Sequence, residues 1–161
     1  MQTKKLILKV VSCLFGVLAF LSMLFPFVLT MTTLYTGDVS THKQSTDSFL
    51  EWVEVLSLKL DNLWVWQMSY VIMIILLVLI GVTMVLLIVQ TLLNNKILAT
   101  ILKWTTIVSI IVAVMFIVTF VVGCVLRFGS TKYSSWAVFP HAGPVVMAVS
   151  AIISFSLALK S

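Results

Sequence analysis

The sequence predicts an all-α membrane protein: a bundle of four transmembrane helices, both termini cytoplasmic, with a short amphipathic helix in the first outer loop. Three observations carry that expectation. Four uncharged stretches, Val10–Gly37, Asn62–Asn95, Trp104–Leu126 and Tyr133–Leu159, each hold the roughly 20 residues that a helix needs to cross a ~30 Å hydrocarbon core. All five carboxylates, Asp38, Asp47, Glu51, Glu54 and Asp61, fall between the first and second of these stretches. A composition 61% hydrophobic and only 9% charged, with a mean hydropathy of +1.22, lies far from that of a soluble domain. Spans placed near Leu6–Leu29, Met68–Leu92, Leu98–Leu126 and Pro140–Leu159 use up the chain with their connections, leaving one integral membrane domain over residues 1–161.

Orientation follows from the basic residues. Lys4, Lys5, Lys9, Lys96, Lys103 and Lys160 fall on one side of such a bundle; Lys43, Lys59, Arg127 and Lys132 fall on the other. Lys4 and Lys5 flank the first span, which usually dominates, so the expected location is a cell membrane with the termini and the Asn94-Asn95-Lys96 turn inside. The net charge of +5 sits singly at span ends and does not form the clustered stripe that nucleic acid requires. The expected partners are the lipid bilayer and other membrane subunits, without nucleic acid.

The first span carries Ser12, Gly16 and Ala19 on one face, where small side chains let another helix approach closely. Its apolar run is longer than a signal-peptide core and lacks a small-x-small cleavage site, so an uncleaved span is expected. Pro26 should kink or end it. Met31–Ser48 follows, rich in Thr and Ser, with a turn signal at Gly37-Asp38; an all-α reading leaves it as loop.

Ser48–Leu63 is the most patterned segment outside the spans. Ser48 and Glu51 fit a capping box, in which the hydroxyl accepts the N–H three residues on and the carboxylate reaches back. Phe49, Trp52, Val53, Leu56, Leu60 and Leu63 then recur at helical spacing, with Asp47, Glu51, Glu54 and Asp61 largely on the other face. The expected helix, over about residues 48–63, rests its stripe on the outer ends of the spans. The alternative is a partner-binding helix whose contacts are Phe49, Trp52, Leu56 and Leu60.

Trp64, Trp66 and Tyr70 read as an interfacial aromatic belt. The second and third spans form a tight hairpin around Asn94-Asn95-Lys96, the third with the small pairs Ser109/Ala113 and Thr119/Gly123. Phe139-Pro140-His141-Ala142-Gly143-Pro144 opens the last span. A start at Pro140 puts Pro144 one turn in, where it kinks the helix; a start at Pro144 leaves a short span. Gly143, Ser150, Ala151, Ser154 and Ala158 make a small face, of which Gly143, Ala151, Ser154 and Ala158 are expected to meet a partner or the bundle centre.

Cys13 and Cys124 fall at opposite depths, beyond disulfide reach, and read as small buried hydrophobes. Transporters and proton relays place ionisable groups inside their spans. Here the deep positions hold hydroxyls, thiols and Gln90, which lies close enough to its span end to reach the interface. Coupling through a buried carboxylate is therefore excluded within one chain. His141 and Arg127 read as interfacial. Asp38, His42, Asp47, Glu51, Glu54 and Asp61 lack the spacing of a calcium loop or a zinc site, and no Gly-x-Ser-x-Gly or phosphate loop occurs. No catalytic residue, metal or cofactor is expected.

Four spans, a long first outer loop and a short second one make a topology that resembles the claudin and tetraspanin classes. Asn62-Leu63-Trp64-Val65-Trp66 has the aromatics of a claudin first loop without its Gly-Leu-Trp and paired cysteines. A tetraspanin Cys-Cys-Gly is absent as well. The resemblance implies a four-span bundle and no particular family.

The leading functional expectation is a non-catalytic accessory or scaffold subunit of a larger membrane complex. A homo-oligomeric channel with a vestibule ringed by Asp47, Glu51, Glu54 and Asp61 is the alternative, since acidic rings favour cations. A third is an immunity or regulatory protein that binds an external peptide.

Overall fold

The computed structural model describes residues 2–36, 39–48, 51, 64–127, 129–130 and 134–161. Its elements are α1 (Gln2–Leu21), a short 3-10 turn (Ser22–Leu24), β1 (Val28–Thr36), β2 (Val39–Asp47), α2 (Trp64–Leu93), α3 (Lys96–Val125), β3 (Gly129–Ser130), β4 (Ser134–Pro140) and α4 (Ala142–Lys160). The four α-helices are long and apolar enough to span a membrane. At 1.5 Å per residue, the 30 residues of α2 and of α3 extend roughly 45 Å, more than the thickness of a hydrocarbon core.

Four such helices are present, consistent with the expected helical bundle, but the fold is not all-α. Both loop-side connections contribute to one antiparallel sheet in the order β2-β1-β4-β3. The first span, expected to run to Leu29, ends as α-helix at Leu21. Pro26 is the cause: it disfavours helical geometry at the preceding residue, and Phe25 is extended at φ −87°, ψ 155°. The released chain, Val-Leu-Thr-Met-Thr-Thr-Leu-Tyr-Thr, is dense in β-branched residues and forms β1. Thr36 then pairs with Val39 across the expected Gly37-Asp38 turn, whose own residues lie outside those described. β1 serves two partners, β2 over its full length and β4 from Val28↔Pro140 to Leu34↔Ser134.

At the opposite end, Asn94 closes the α2–α3 turn at φ 45°, a left-handed conformation that Asn tolerates better than most residues. Asn95 caps α3, its side chain accepting from the Ile97 N–H at 2.8 Å. The last span resolves its two prolines in a way neither sequence alternative foresaw. Pro140 ends β4, α4 begins at Ala142, and Pro144 falls within the first turn, where its missing N–H has no intrahelical partner to lose. His141 caps that turn, its Nδ1 accepting from the Ala142 N–H at 2.8 Å.

The helices pack as a chain of pairs: α1 on α4, α4 on α3 and α3 on α2, whereas α1 and α2 touch only weakly. The centre is filled by Phe27, Met73, Leu76, Ile80, Phe116, Met147 and Phe155, all fully buried.

Candidate functional site

Two regions carry chemistry beyond packing: the sheet end of the bundle and the polar seam of α1. At the sheet end, Phe25-Pro26-Phe27 is a hub. The Phe27 N–H donates to the Asp47 carbonyl at 2.9 Å, the His141 N–H to the Phe27 carbonyl at 3.0 Å, and the Gly143 N–H to the Pro26 carbonyl at 2.8 Å. The start of β1, the end of β2 and the start of α4 are thus tied at one point.

Beneath the hub lies an aromatic stack. Phe120 meets Phe27 edge-on with ring centroids 6.3 Å apart, stacks on Trp66 at 6.2 Å and leans on Phe116 at 5.7 Å. Trp66, expected in an interfacial belt, is instead buried in the bundle, while Trp64 is 60% exposed. The difference follows from Gly123: with no side chain there, the Trp66 indole lies directly against α3, in space a β-carbon would overlap. Arg127 does not simply reach into solvent, because its guanidinium sits 5.5 Å from the centre of the Trp66 ring as a cation–π contact.

Outward from the hub, the sheet is a surface. Residues 40–46 of β2 are exposed, and β2 is an edge strand along its nine residues. Among the described residues no strand pairs with its outer edge, and such an edge is the feature onto which another strand can add. Cross-strand bonds stiffen it: Thr33 Oγ1 lies 3.0 Å from His42 Nδ1, and the Tyr35 hydroxyl 3.3 Å from that of Ser135. No group of three His, Cys, Asp or Glu side chains forms a metal site among the described residues.

The expected capping box is formed. The Ser48 N–H donates to Glu51 Oε2 at 2.6 Å, and the Glu51 N–H approaches Ser48 Oγ at 3.4 Å. Hydrogen bonding to the Ser48 backbone N–H, and secondarily to its hydroxyl, holds the Glu51 carboxyl below its usual range. Asp47 is pushed the other way, first by partial burial and then by the neighbouring Glu51 charge. The signs differ accordingly. Glu51 favours the folded state above its unfolded pKa, and this is lost as pH falls through the lower folded value. Asp47 disfavours the folded state at neutral pH and is relieved on acidification. Ser48→Ala should move the Glu51 titration part of the way towards an ordinary carboxylate. Ser48→Pro, which also removes the N–H, should complete the return; carboxyl ¹³C NMR reads both. Titrations unchanged in both variants would show that the box does not form in solution. Of the other acidic-face residues, Glu54 and Asp61 lie outside the described residues, as do the stripe residues Phe49, Trp52, Leu56 and Leu60.

The small face of α4 is occupied within the chain. Gly143, Ala151, Ser154 and Ala158 are buried, and α4 packs chiefly on α1 and α3. Ser12 and Ser154 form a reciprocal clasp: each hydroxyl donates to the other residue's carbonyl at 2.7 Å. Gly16 of α1 faces α2, in contact with Met84 and Ile80. Of the two roles expected for this face, a partner contact or the bundle centre, the packing among the described residues is with the bundle. Sequence reasoning ranked these positions by smallness, which marks close packing without saying against which helix.

Sequence reasoning also missed the polar seam nearer the termini. Lys9 Nζ donates to Gln90 Oε1, joining α1 to α2. Thr91, Thr106 and Ser109 instead return their hydroxyls to carbonyls of their own helices. Cys13 and Cys124 are both free thiols. No protein-family model matches the chain, and no curated protein shows significant similarity to it.

Proposed function

We propose that the protein is a non-catalytic accessory or scaffold subunit of a larger membrane assembly, and that it meets its partner at the sheet end of the bundle. The observation that carries this reading is the exposed β2 edge, held by β1 on a rigid hub rather than on a loose loop. Strand addition to such an edge gives affinity through backbone hydrogen bonds and specificity through alternate side chains. His42, Lys43 and Gln44 place polar groups along it, which discourages indiscriminate pairing between copies. The stripe of Phe49, Trp52, Leu56 and Leu60 that the sequence predicts follows β2 directly in the chain, and would add apolar contact for the same partner. With α4's small face engaged internally, the sheet end is the better docking surface. In the orientation set by the lysines, it faces outward from a cell membrane whose inner side holds both termini.

A photo-crosslinking residue placed in turn at Thr41, Lys43 and Ser45 should give one common adduct in native membranes. The same residue at the exposed positions Val108 and Val118 of α3 should give lipid adducts alone. Adducts from α3 with none from β2 would move the interface to the spans, and a stable lone monomer in mild detergent would remove the assembly altogether.

A further inference from the structure

The weak contact between α1 and α2 leaves a groove at the end of the bundle that holds the termini. Its body is a cavity of about 390 Å³ lined by apolar residues, among them Val10, Leu14, Val17, Leu87 and Ile88. Towards the terminal end it continues into a second cavity of about 520 Å³, bounded by Thr3, Lys5, Leu6, Lys9, Thr91 and Asn94. Leu6, Lys9 and Thr91 line both, so the two form one channel with an apolar body and a basic mouth. Lys5 and Lys9, four residues apart, share a helix face. The chain's carboxylate side chains all lie between Asp38 and Asp61, so neither α1 nor α2, which line this groove, contains one. Lys9 bonds the neutral amide of Gln90, which holds the ammonium at the mouth without cancelling its charge.

We propose that this groove is a binding site for one anionic phospholipid of the leaflet nearest the termini. One acyl chain lies between α1 and α2, and the phosphate sits at Lys5 and Lys9. An apolar surface competes poorly for lipid over lipid inside a bilayer, because acyl chains already surround it. Selection therefore rests on the headgroup, and two uncompensated lysines at a groove mouth select negative charge. Thr3, Thr91 and Asn94 at the same mouth add neutral hydrogen-bonding groups.

The test is native mass spectrometry of the full chain released from micelles containing equal dioleoylphosphatidylglycerol and dioleoylphosphatidylcholine. The expected result is retention of one phosphatidylglycerol and discrimination against phosphatidylcholine. Lys5→Gln with Lys9→Gln should weaken retention roughly 30-fold, about fivefold per lysine. Val10→Trp, which fills the apolar body and leaves both charges, should also release the lipid. Lys96→Gln with Lys103→Gln, an equal loss of charge elsewhere, should leave it bound. Equal retention of the two lipids, or retention unaffected by the Lys5/Lys9 pair, would overturn the site. Equal loss in the Lys96/Lys103 control would reduce it to general surface charge and overturn it likewise. A protein helix crosslinked into the groove in place of lipid would replace the proposed occupant.

Discussion

Gly143→Val should destabilise the protein by about 3 kcal/mol, near the upper end of ordinary overpacking costs. A β-carbon at position 143 would lie 2.6 Å and 2.8 Å from two ring carbons of Phe27 and 3.0 Å from the Pro26 carbonyl oxygen. The ring cannot turn aside freely, since Phe27 is fully buried and its edge is packed on Phe120. Nor can the backbone retreat: Pro26 accepts the Gly143 N–H, while Phe27 is bonded on one side to Asp47 and on the other to His141. The extra methyls must therefore displace the hub that joins β1, β2 and α4. An SDS titration in mixed micelles, followed by circular dichroism, measures the loss. Wild-type stability in Gly143→Val would mean that α4 and the Pro26–Phe27 segment do not approach as described.

Trp66→Ala should cost about 3–5 kcal/mol, the range for deleting a large buried aromatic. It empties the space between Gly123 and Phe120 and removes the ring on which Arg127 rests. Trp64→Ala, two residues away at an exposed position, should change stability by no more than about 0.5 kcal/mol. The same geometry predicts coupling. Gly123→Val should be damaging alone and much less so beside Trp66→Ala, because the vacated indole space accepts the new side chain. A coupling energy of roughly 0.5–3 kcal/mol is expected for residues in direct contact. Strict additivity, or equal effects of the two tryptophan substitutions, would contradict the packing.

The two substitutions probe features of different legibility. Gly143 was visible as part of a small face, and smallness did mark close packing; its target, the Phe27 ring, was not. Trp66 reads from the sequence as interfacial because aromatic residues at span ends usually are anchors. What buried it is a glycine 57 positions later in the sequence, which no local pattern connects to it. The Ser48–Glu51 cap was legible because both partners lie within one turn and the reciprocal bonds follow from spacing alone. The sheet was not. Val28–Thr36 has strand composition, yet on apolar character its first residues continued the preceding run, and β2 is too polar to announce itself. Its strands needed each other, and β4, nearly a hundred residues on, before they counted as structure.

By itself, then, the sequence determined the four spans, the hairpin turn at Asn94-Asn95 and the segregation of every carboxylate to one connection. Each follows from properties summed over neighbouring residues: hydrophobic length, turn preference and charge. Only the tertiary structure decided which small face meets which helix, where Trp66 and Arg127 rest, and that two connections form one sheet in which, among the described residues, β2 is an edge strand. It alone opened α1 from α2 around Lys5 and Lys9. Those outcomes depend on contacts between residues far apart in the chain. In a bilayer, where apolar surface gains little by leaving lipid, close fit and hydrogen bonding choose among them.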